Sequence, residues 1–194
     1  ATEDTLHDLC GYLILLIIPF NLNSQENLEK WFFVMTDDFF EIMEIDKMIQ
    51  LENKLTLFVN DKFAVNSISL SLIGRLAKKN SKEDLEKYKK AFLTHLTKTI
   101  YNLVDRYDGQ LIQLEKIKKD ENGYLIYSSI EDENKSYSVV WRIAYVSGKP
   151  KVLDVIIENS SYYVTKKSEF SQILRENKSD LSKLTEILEQ VSFN

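Results

Sequence analysis

Two carboxylates, Asp154 and Glu158, are the residues of this sequence whose spacing could support catalysis. Both lie in segment 152–158, which alternates like a β-strand, and a strand carboxylate inside a pocket can act as a general base when burial raises its pKa. We expect both instead to point outward and to pair with Arg142, Arg75 or a lysine. The reason is that the apolar residues of the segment occupy the other strand face: Leu153, Val155 and Ile157.

Other reactive side chains are few and isolated. Cys10 is the single cysteine, so no disulfide forms within the chain, and the two histidines, His7 and His95, stand far apart. With 5 glycines in the chain, a glycine-rich phosphate loop is not indicated. The sequence predicts neither an enzyme nor a metal or cofactor site, and its function must depend on shape and apolar surface.

Composition points to a folded chain with one sizeable core. Of the 194 residues, 44% are hydrophobic and 28% are charged, which is typical of globular proteins. The net charge of -5, with no basic block, argues against nucleic acid as a partner.

The N-terminus contains a short apolar run at 12–18, followed by Pro19. This run is too short for a bilayer span, which takes about 20 residues. Residues 1–23 are therefore interpreted as the remnant of an export leader or as an extra N-terminal helix.

Helical periodicity covers both ends of the chain. Ser81 and Asp84 form a capping signal at the start of the longest helix, and Asp108-Gly109 is expected to stop it. The first helix could be broken near Asp37-Asp38. The predicted helices are 24–44, 47–63, 65–77, 82–107, 161–176 and 180–191.

Between the long helix and the C-terminal helices the apolar period changes from 3.6 to 2. Short turn-like separators favour an antiparallel meander, and the whole pattern predicts an α+β protein. The strongly apolar strand face could be a packed core or could line a cavity. The predicted strands are 111–119, 124–131, 136–146 and 151–158.

The C-terminal part resembles the MlaC family, also called the toluene-tolerance auxiliary proteins. The family pattern, an Asp-Val strand followed by a helix, is matched by Asp154, Val155, Ile157, Glu158, Ser161, Ser168, Phe170 and Leu174, with Lys167 at an arginine position. A second motif is matched by Phe63 and by Leu72-Ile-Gly-Arg75. The resemblance extends from about Leu28 to Val191. Its departures are Asn159 for glycine, Pro150 and Ala77 for tryptophan, and Thr165-Lys166 for Asn-Tyr.

This resemblance implies an NTF2-like curved antiparallel sheet of about four strands, covered by helices, with an N-terminal helical subdomain. Residues 24–194 would form one lipid-binding unit, made of a helical part 24–80, the long helix 82–107, the sheet 111–158 and the C-terminal helices 161–191. The family consists of periplasmic carriers that hold phospholipid acyl chains in an apolar pocket. The implied partners are a glycerophospholipid, an inner-membrane ABC transporter with an MCE domain, and an outer-membrane lipoprotein–porin complex, and the implied role is maintenance of outer-membrane lipid asymmetry.

A carrier of this kind needs a continuous apolar cavity larger than about 300 Å³. We expect Lys166 and Lys167 at the pocket mouth or at a partner surface, with a plain solvent-exposed role as the alternative. An NTF2-like enzyme using Asp154 or Glu158 as a base, and an interaction module with a solid core, remain the rival interpretations. The predicted lining residues are Leu72, Ile73, Leu76, Leu96, Ile100, Leu103, Val139, Trp141, Ile143, Val155 and Ile157.

Overall fold

The computed structural model describes residues 25–104, 111–132 and 135–190. The chain divides into two compact units, residues 1–38 and 39–194. The predictions for residues 1–23, for the boundary at residue 24 and for the stop at Asp108-Gly109 lie outside the described residues.

The N-terminal half is helical, as predicted. Helix α1 covers residues 25–43 and runs through Asp37-Asp38 without a break. Ser81 caps α4 as its spacing predicts, because its Oγ accepts from the Asp84 N–H at 3.1 Å and donates to the Asp84 carboxylate at 2.6 Å. The other helices of this half are α2 (Met48–Lys62), α3 (Val65–Ile73), a short 3-10 helix (Gly74–Lys78) and α4 (Lys82–Val104).

The sheet has five antiparallel strands in the order β1-β2-β3-β4-β5, one more than predicted. The additional strand consists of two residues, which pair with Ile156 and Ile157 of β4. Two residues are too few to produce a period, so alternation could not reveal this strand. The strands are β1 (Leu111–Asp120), β2 (Gly123–Asp132), β3 (Lys135–Val146), β4 (Lys149–Ile157) and β5 (Ser160–Ser161).

A tight turn with two left-handed residues connects β4 to β5. Glu158 has a φ of 47° and Asn159 a φ of 66°, which is the pattern of a two-residue hairpin turn. Asparagine tolerates the left-handed region better than most residues. The glycine that the family pattern has at position 159 is therefore replaceable by Asn159 without a change of the turn.

Two further helices, α5 (Tyr162–Glu176) and α6 (Leu181–Glu189), close the chain. Each begins with a side-chain cap, since Ser161 accepts from the Val164 N–H and Asp180 accepts from the Ser182 N–H. In the core of the larger unit, the ring of Phe170 on α5 meets the ring of Phe92 on α4 edge to face. Strand β4 packs against α2, α3 and α5, so these helices determine the surroundings of its side chains.

Candidate functional site

One face of the sheet is apolar across four strands. In the β3–β4 pair, Val139 lies opposite Ile157 and Trp141 opposite Val155, and residues directly opposite in antiparallel strands share a face. The registers of β1, β2 and β3 extend the same face toward the β1 edge. The apolar side chains of this surface, called the apolar face below, are Ile112, Leu114, Ile117, Tyr124, Ile126, Ile130, Tyr137, Val139, Trp141, Ile143, Tyr145, Val152, Val155 and Ile157.

Leu153 does not belong to the apolar face, and the prediction that placed it there is wrong. The β3–β4 register shifts between Arg142 and Ile143, so that Arg142 pairs with Asp154 and Ile143 pairs with Val152. This β-bulge leaves Leu153 as the extra residue of β4. A bulge reverses the alternation of side chains between the residues on its two sides. Strict alternation along β4 therefore assigned Val152 and Leu153 to the wrong faces.

The apolar face is covered unevenly. Val139, Ile143 and Val152 are buried, whereas Trp141 and Val155 are only half-buried. Ile157 is 38% exposed. A sheet face in a solid core would be buried throughout, so this one leaves apolar area open to a further apolar group.

The eleven predicted lining residues differ in the same way. Five are buried: Leu72, Ile73, Leu96, Val139 and Ile143. Four are half-buried: Leu76, Ile100, Trp141 and Val155. Two are exposed: Ile157, and Leu103 of α4 at 61%. That these side chains line one continuous cavity stays a prediction.

Trp141 is held in place by a polar contact within the apolar face. Its indole N–H donates to the Ser128 hydroxyl at 2.9 Å, and that hydroxyl donates to the carbonyl of Val139 at 3.2 Å. Ser128 is buried on the same face, where an unpaired hydroxyl would be costly. The pair therefore satisfies both groups and fixes the orientation of the half-buried indole.

Asp154 is buried, not outward-facing as expected, with 7% of the residue exposed. One carboxylate oxygen accepts from the Ser161 hydroxyl at 2.6 Å and the other from the Tyr163 N–H at 2.9 Å. The carboxylate thus ties the start of α5 to β4. This contact explains why Asp154 and Ser161 occur together in the family motif.

Glu158 also has a structural contact. Its carboxylate accepts from the Ser138 N–H at 2.6 Å, and its own N–H donates to the Ser138 carbonyl at 3.1 Å. These bonds extend the β3–β4 pairing past the last residue of β4. The partners found for Asp154 and Glu158 are therefore Ser138, Ser161 and Tyr163, and the expected pairing with Arg142, Arg75 or a lysine is wrong.

Lys167 connects the two sequence motifs. Its ammonium donates to the carbonyls of Ser71 and Leu72, at 2.6 and 2.7 Å. These carbonyls are at the end of α3, where Gly74 has a φ of 54° and ends the helix. A cation at a helix C-terminus is favourable, because it satisfies free carbonyls and the helix dipole.

Lys166 lies on α5 near His95 of α4. Its ammonium pairs with Glu169 at 2.7 Å and stands 5.8 Å from the ring centre of Tyr162. The location of Lys166 and Lys167 at a pocket mouth or a partner surface stays a prediction, and both amines have partners within the chain.

His95 is 8% exposed, and neither ring nitrogen has a hydrogen-bond partner within the described residues. Burial lowers the pKa of His95 to about 4, and the Lys166 and Lys98 ammonium groups act in the same direction, against Glu169. The ring stacks edge to face on Phe170. His95 is therefore a neutral core residue, contrary to the surface or boundary position that an isolated histidine indicates.

A pocket of about 250 Å³ lies on the sheet face opposite the apolar face, between β3, β4 and two helices. Sequence reasoning did not predict it, since its walls come from segments up to 96 residues apart. It contains none of the eleven predicted lining residues. Its own lining is Ser67, Ile68, Ser71, Arg142, Leu153, Asp154 and Tyr163.

Within the residues that the structure describes, His, Cys, Asp and Glu side chains form no group that could hold a metal ion. Over the same residues, no helix has the length and apolarity needed to cross a membrane. The candidate site is the partly uncovered apolar face, and the pocket lined by Arg142 and Asp154 lies on the opposite face of the sheet.

The sequence profile of the MlaC protein family matches residues 34–190, so the chain belongs to the MlaC family. A search of curated proteins gave no match. Among solved structures, the fold is similar to that of a phospholipid-binding protein from Ralstonia solanacearum in complex with a phospholipid. The two chains are 14% identical with a TM-score of 0.63, over 72% of this chain and 80% of the other.

Proposed function

We propose that this protein binds a glycerophospholipid and carries it through the periplasm. Membership of the MlaC family and the similarity of the fold to a phospholipid-bound protein support this function. The structural observation that carries the proposal is the incomplete cover of the apolar face, where Trp141, Val155 and Ile157 are half-buried or exposed.

The acyl chains would lie against the apolar face, and the predicted lining residues of α4 would cover them. Leu103 of α4 is largely exposed, as expected for a side chain that awaits an apolar partner. The eleven lining residues predicted from the sequence would contribute in two ways. The buried ones would form the floor of the site, and the half-buried and exposed ones would contact the lipid.

Energetics explain why such a carrier needs no catalytic residue. Two acyl chains contain roughly 30 carbons, and each buried methylene contributes about 0.8 kcal/mol, so transfer from water is worth on the order of 20 kcal/mol. Spontaneous release into water would be very slow. Unloading therefore requires direct contact with an acceptor of equal apolarity.

The acceptors in this proposal are two membrane complexes. One is an inner-membrane ABC transporter with an MCE domain, and the other is an outer-membrane lipoprotein–porin complex. Exchange with both would maintain the lipid asymmetry of the outer membrane. Lys166 and Lys167 would lie near the contact surface, and replacing both by glutamate would then slow exchange at low salt, where charge interactions are least screened.

The proposal is tested by native mass spectrometry of the purified protein, followed by organic extraction and lipid analysis. Wild-type protein is expected to retain phospholipid. Trp141→Arg and Ile157→Arg should each reduce the retained lipid, because each introduces a charge that must be desolvated on the apolar face.

A matched control is Ile187→Arg on α6. Ile187 is 37% exposed, close to the exposed fraction of Ile157, and belongs to α6, which packs against α4 and α5. The control should retain as much lipid as wild type. If Ile157→Arg and Ile187→Arg retain equal lipid while folded, the apolar face is not the lipid site. If wild type itself retains no lipid-sized mass, the carrier function is wrong.

The contacts of the two carboxylates do not support the rival enzymatic function. Asp154 and Glu158 are both bonded to main-chain or hydroxyl donors, and Asp154 is on the face opposite Trp141. We therefore propose that the protein is a lipid carrier and not an enzyme.

A further inference from the structure

The pocket opposite the apolar face combines the Arg142 guanidinium with several hydroxyl groups. Arg142 of β3 forms one wall, Ser67 and Ser71 of α3 form another, and Tyr163 of α5 closes the third. We propose that this pocket binds a phosphate-type oxyanion, with the Arg142 guanidinium and the hydroxyls of Ser71 and Tyr163 as donors. The pocket would be a second site, beyond the proposed lipid carriage.

Arg142 is available for a ligand. Among the described residues it has neither a hydrogen bond nor an ion pair, although the register places Asp154 directly opposite it. The Asp154 carboxylate is bonded elsewhere, to Ser161 and to the Tyr163 N–H. A guanidinium with free N–H groups is the side chain best suited to bind phosphate, through paired hydrogen bonds.

The hydroxyl groups of Ser71 and Tyr163 leave one O–H for a ligand, whichever of the two donates to the other. The Ser71 and Tyr163 oxygens are 2.6 Å apart, and either can donate to the other. Each group has one proton, so when one donates within the pair, the other is left to donate into the pocket. Ser67 supplies a third hydroxyl on the same helix face as Ser71, four residues away.

Charge and size favour a small anion. The lining contains one cation, Arg142, and one carboxylate, Asp154, whose oxygens already accept from Ser161 and from the Tyr163 N–H. A second cation, Lys167, donates to the main-chain carbonyl of the lining residue Ser71 at 2.6 Å and is not itself part of the lining. A volume of about 250 Å³ accommodates a phosphate group with a small substituent but not two acyl chains.

The phosphate could belong to a lipid headgroup or to a free ion or small ester. Arg142 and Trp141 are adjacent on β3 and therefore point to opposite faces of the sheet. A lipid whose chains lie on the apolar face would place its phosphate away from this pocket, so we expect a separate phosphate ligand.

The test is a titration of the full-length protein with inorganic phosphate, followed by calorimetry and by ³¹P NMR at constant ionic strength. Saturable binding is expected, and Arg142→Gln should weaken it by roughly tenfold or more, the usual loss for a hydrogen-bonded charge. Because Arg142 is exposed, its replacement leaves the core intact. The matched control is Arg175→Gln on α5, an exposed arginine outside the pocket, which should bind phosphate as wild type does.

A second arm compares delipidated and lipid-loaded protein. Equal phosphate affinity in both assigns the pocket to a free ion or small ester, and competition by lipid assigns it to the headgroup phosphate. Absence of saturable phosphate binding, or equal losses in Arg142→Gln and Arg175→Gln, would overturn the proposal. The lipid content of Arg142→Gln, measured on the same sample, keeps this outcome separate from a failure of the lipid-carrier function.

Discussion

The junction between β4 and α5 and the apolar face of the same sheet differ in how completely their groups are satisfied. At the junction, Asp154, Ser161 and Lys167 each have hydrogen-bond partners within the chain. On the apolar face, Trp141, Val155 and Ile157 keep part of their surface uncovered. The hydrogen bonds of the junction stabilise the fold, whereas the apolar face leaves apolar surface uncovered.

This difference shows what the family-like residues do. The residues that carried the resemblance, among them Asp154, Ser161, Lys167 and Gly74, fix the ends of α3 and α5. They identify the fold because few residue types can make those contacts. The proposed lipid surface consists of ordinary apolar residues, which many sequences could supply and which therefore form no motif.

The largest expected effect on stability comes from removing the Asp154 carboxylate, which lies at the centre of the junction. Asp154→Ala should lower the free energy of unfolding by about 4 kcal/mol, because two hydrogen bonds to a buried charge are lost at roughly 1.5–3 kcal/mol each. Urea denaturation followed by circular dichroism measures this loss. The control is Asp180→Ala, which removes an exposed cap of α6 and should cost much less than Asp154→Ala. Equal losses in the two variants would refute the importance of the buried contact.

A second effect concerns His95, the polar group beside α5 whose ring nitrogens have no partner in the described part of the chain. Its pKa is lowered from 6.5 to about 4 in the folded protein, so the unfolded chain binds more protons below pH 6.5. Stability that is present above pH 6.5 is therefore lost as the pH falls toward 4. Between pH 6.5 and 5 the loss should be about 1.6 kcal/mol.

Denaturation of His95→Leu across the same pH range checks this assignment. Leucine has no proton to bind, so the variant should lose far less stability than wild type between pH 6.5 and 5. Lys98, Lys166 and Glu169, the charged groups near the ring, are the same in both proteins, so the difference between the two pH profiles reports on His95. Identical pH profiles in the two proteins would show that another group is responsible.

Much of the fold could be predicted from the sequence, because its elements are long and strongly periodic. The cap at Ser81 follows from local spacing alone, whereas spacing left Ser160 and Ser161 as equal candidates for the cap of α5, which is Ser161. Features that depend on one residue or on distant contacts could not be predicted. The bulge at Leu153 breaks the strand period at a single position. Strand β5, with its two residues, is too short to show a period.

The candidate sites show the same limit. Simple alternation places the apolar residues of β3 on one face, as the structure has them, since the register does not change between Val139 and Trp141. The Arg142 pocket depends on Ser71 and Tyr163, which are 92 residues apart, and the sequence contains no sign of their contact. Lys167 was recognised as a matched position, but its partner on α3 could not be inferred from its own helix.

A smaller effect separates the two lysines of α5. Lys167→Met should lower the free energy of unfolding by about 1.5 kcal/mol, because the carbonyls of Ser71 and Leu72 lose a charged donor. Lys166→Met removes an ion pair with Glu169 on the same helix and should change stability by less than about 0.5 kcal/mol. Thermal or urea denaturation measures both variants. A larger loss in Lys166→Met would contradict the role assigned to Lys167.

The smallest effect on stability is expected on the apolar face. Ile157→Asn should change the stability of delipidated protein by less than about 0.5 kcal/mol, since Ile157 is 38% exposed at the end of β4. With lipid bound, Ile157→Asn should reduce the stabilisation that the lipid provides. A ligand that binds only the folded state raises the melting temperature, and a weaker ligand raises it less.

Melting curves of delipidated and lipid-loaded samples therefore sharpen the comparison between the two regions. Asp154→Asn should lower both melting temperatures together, because it weakens the fold and leaves the apolar face unchanged. Ile157→Asn should leave the delipidated value unchanged and reduce the difference between loaded and delipidated protein. If Ile157→Asn preserves that difference, the lipid does not rest on this part of the sheet, and the exposed fraction of Ile157 has another explanation.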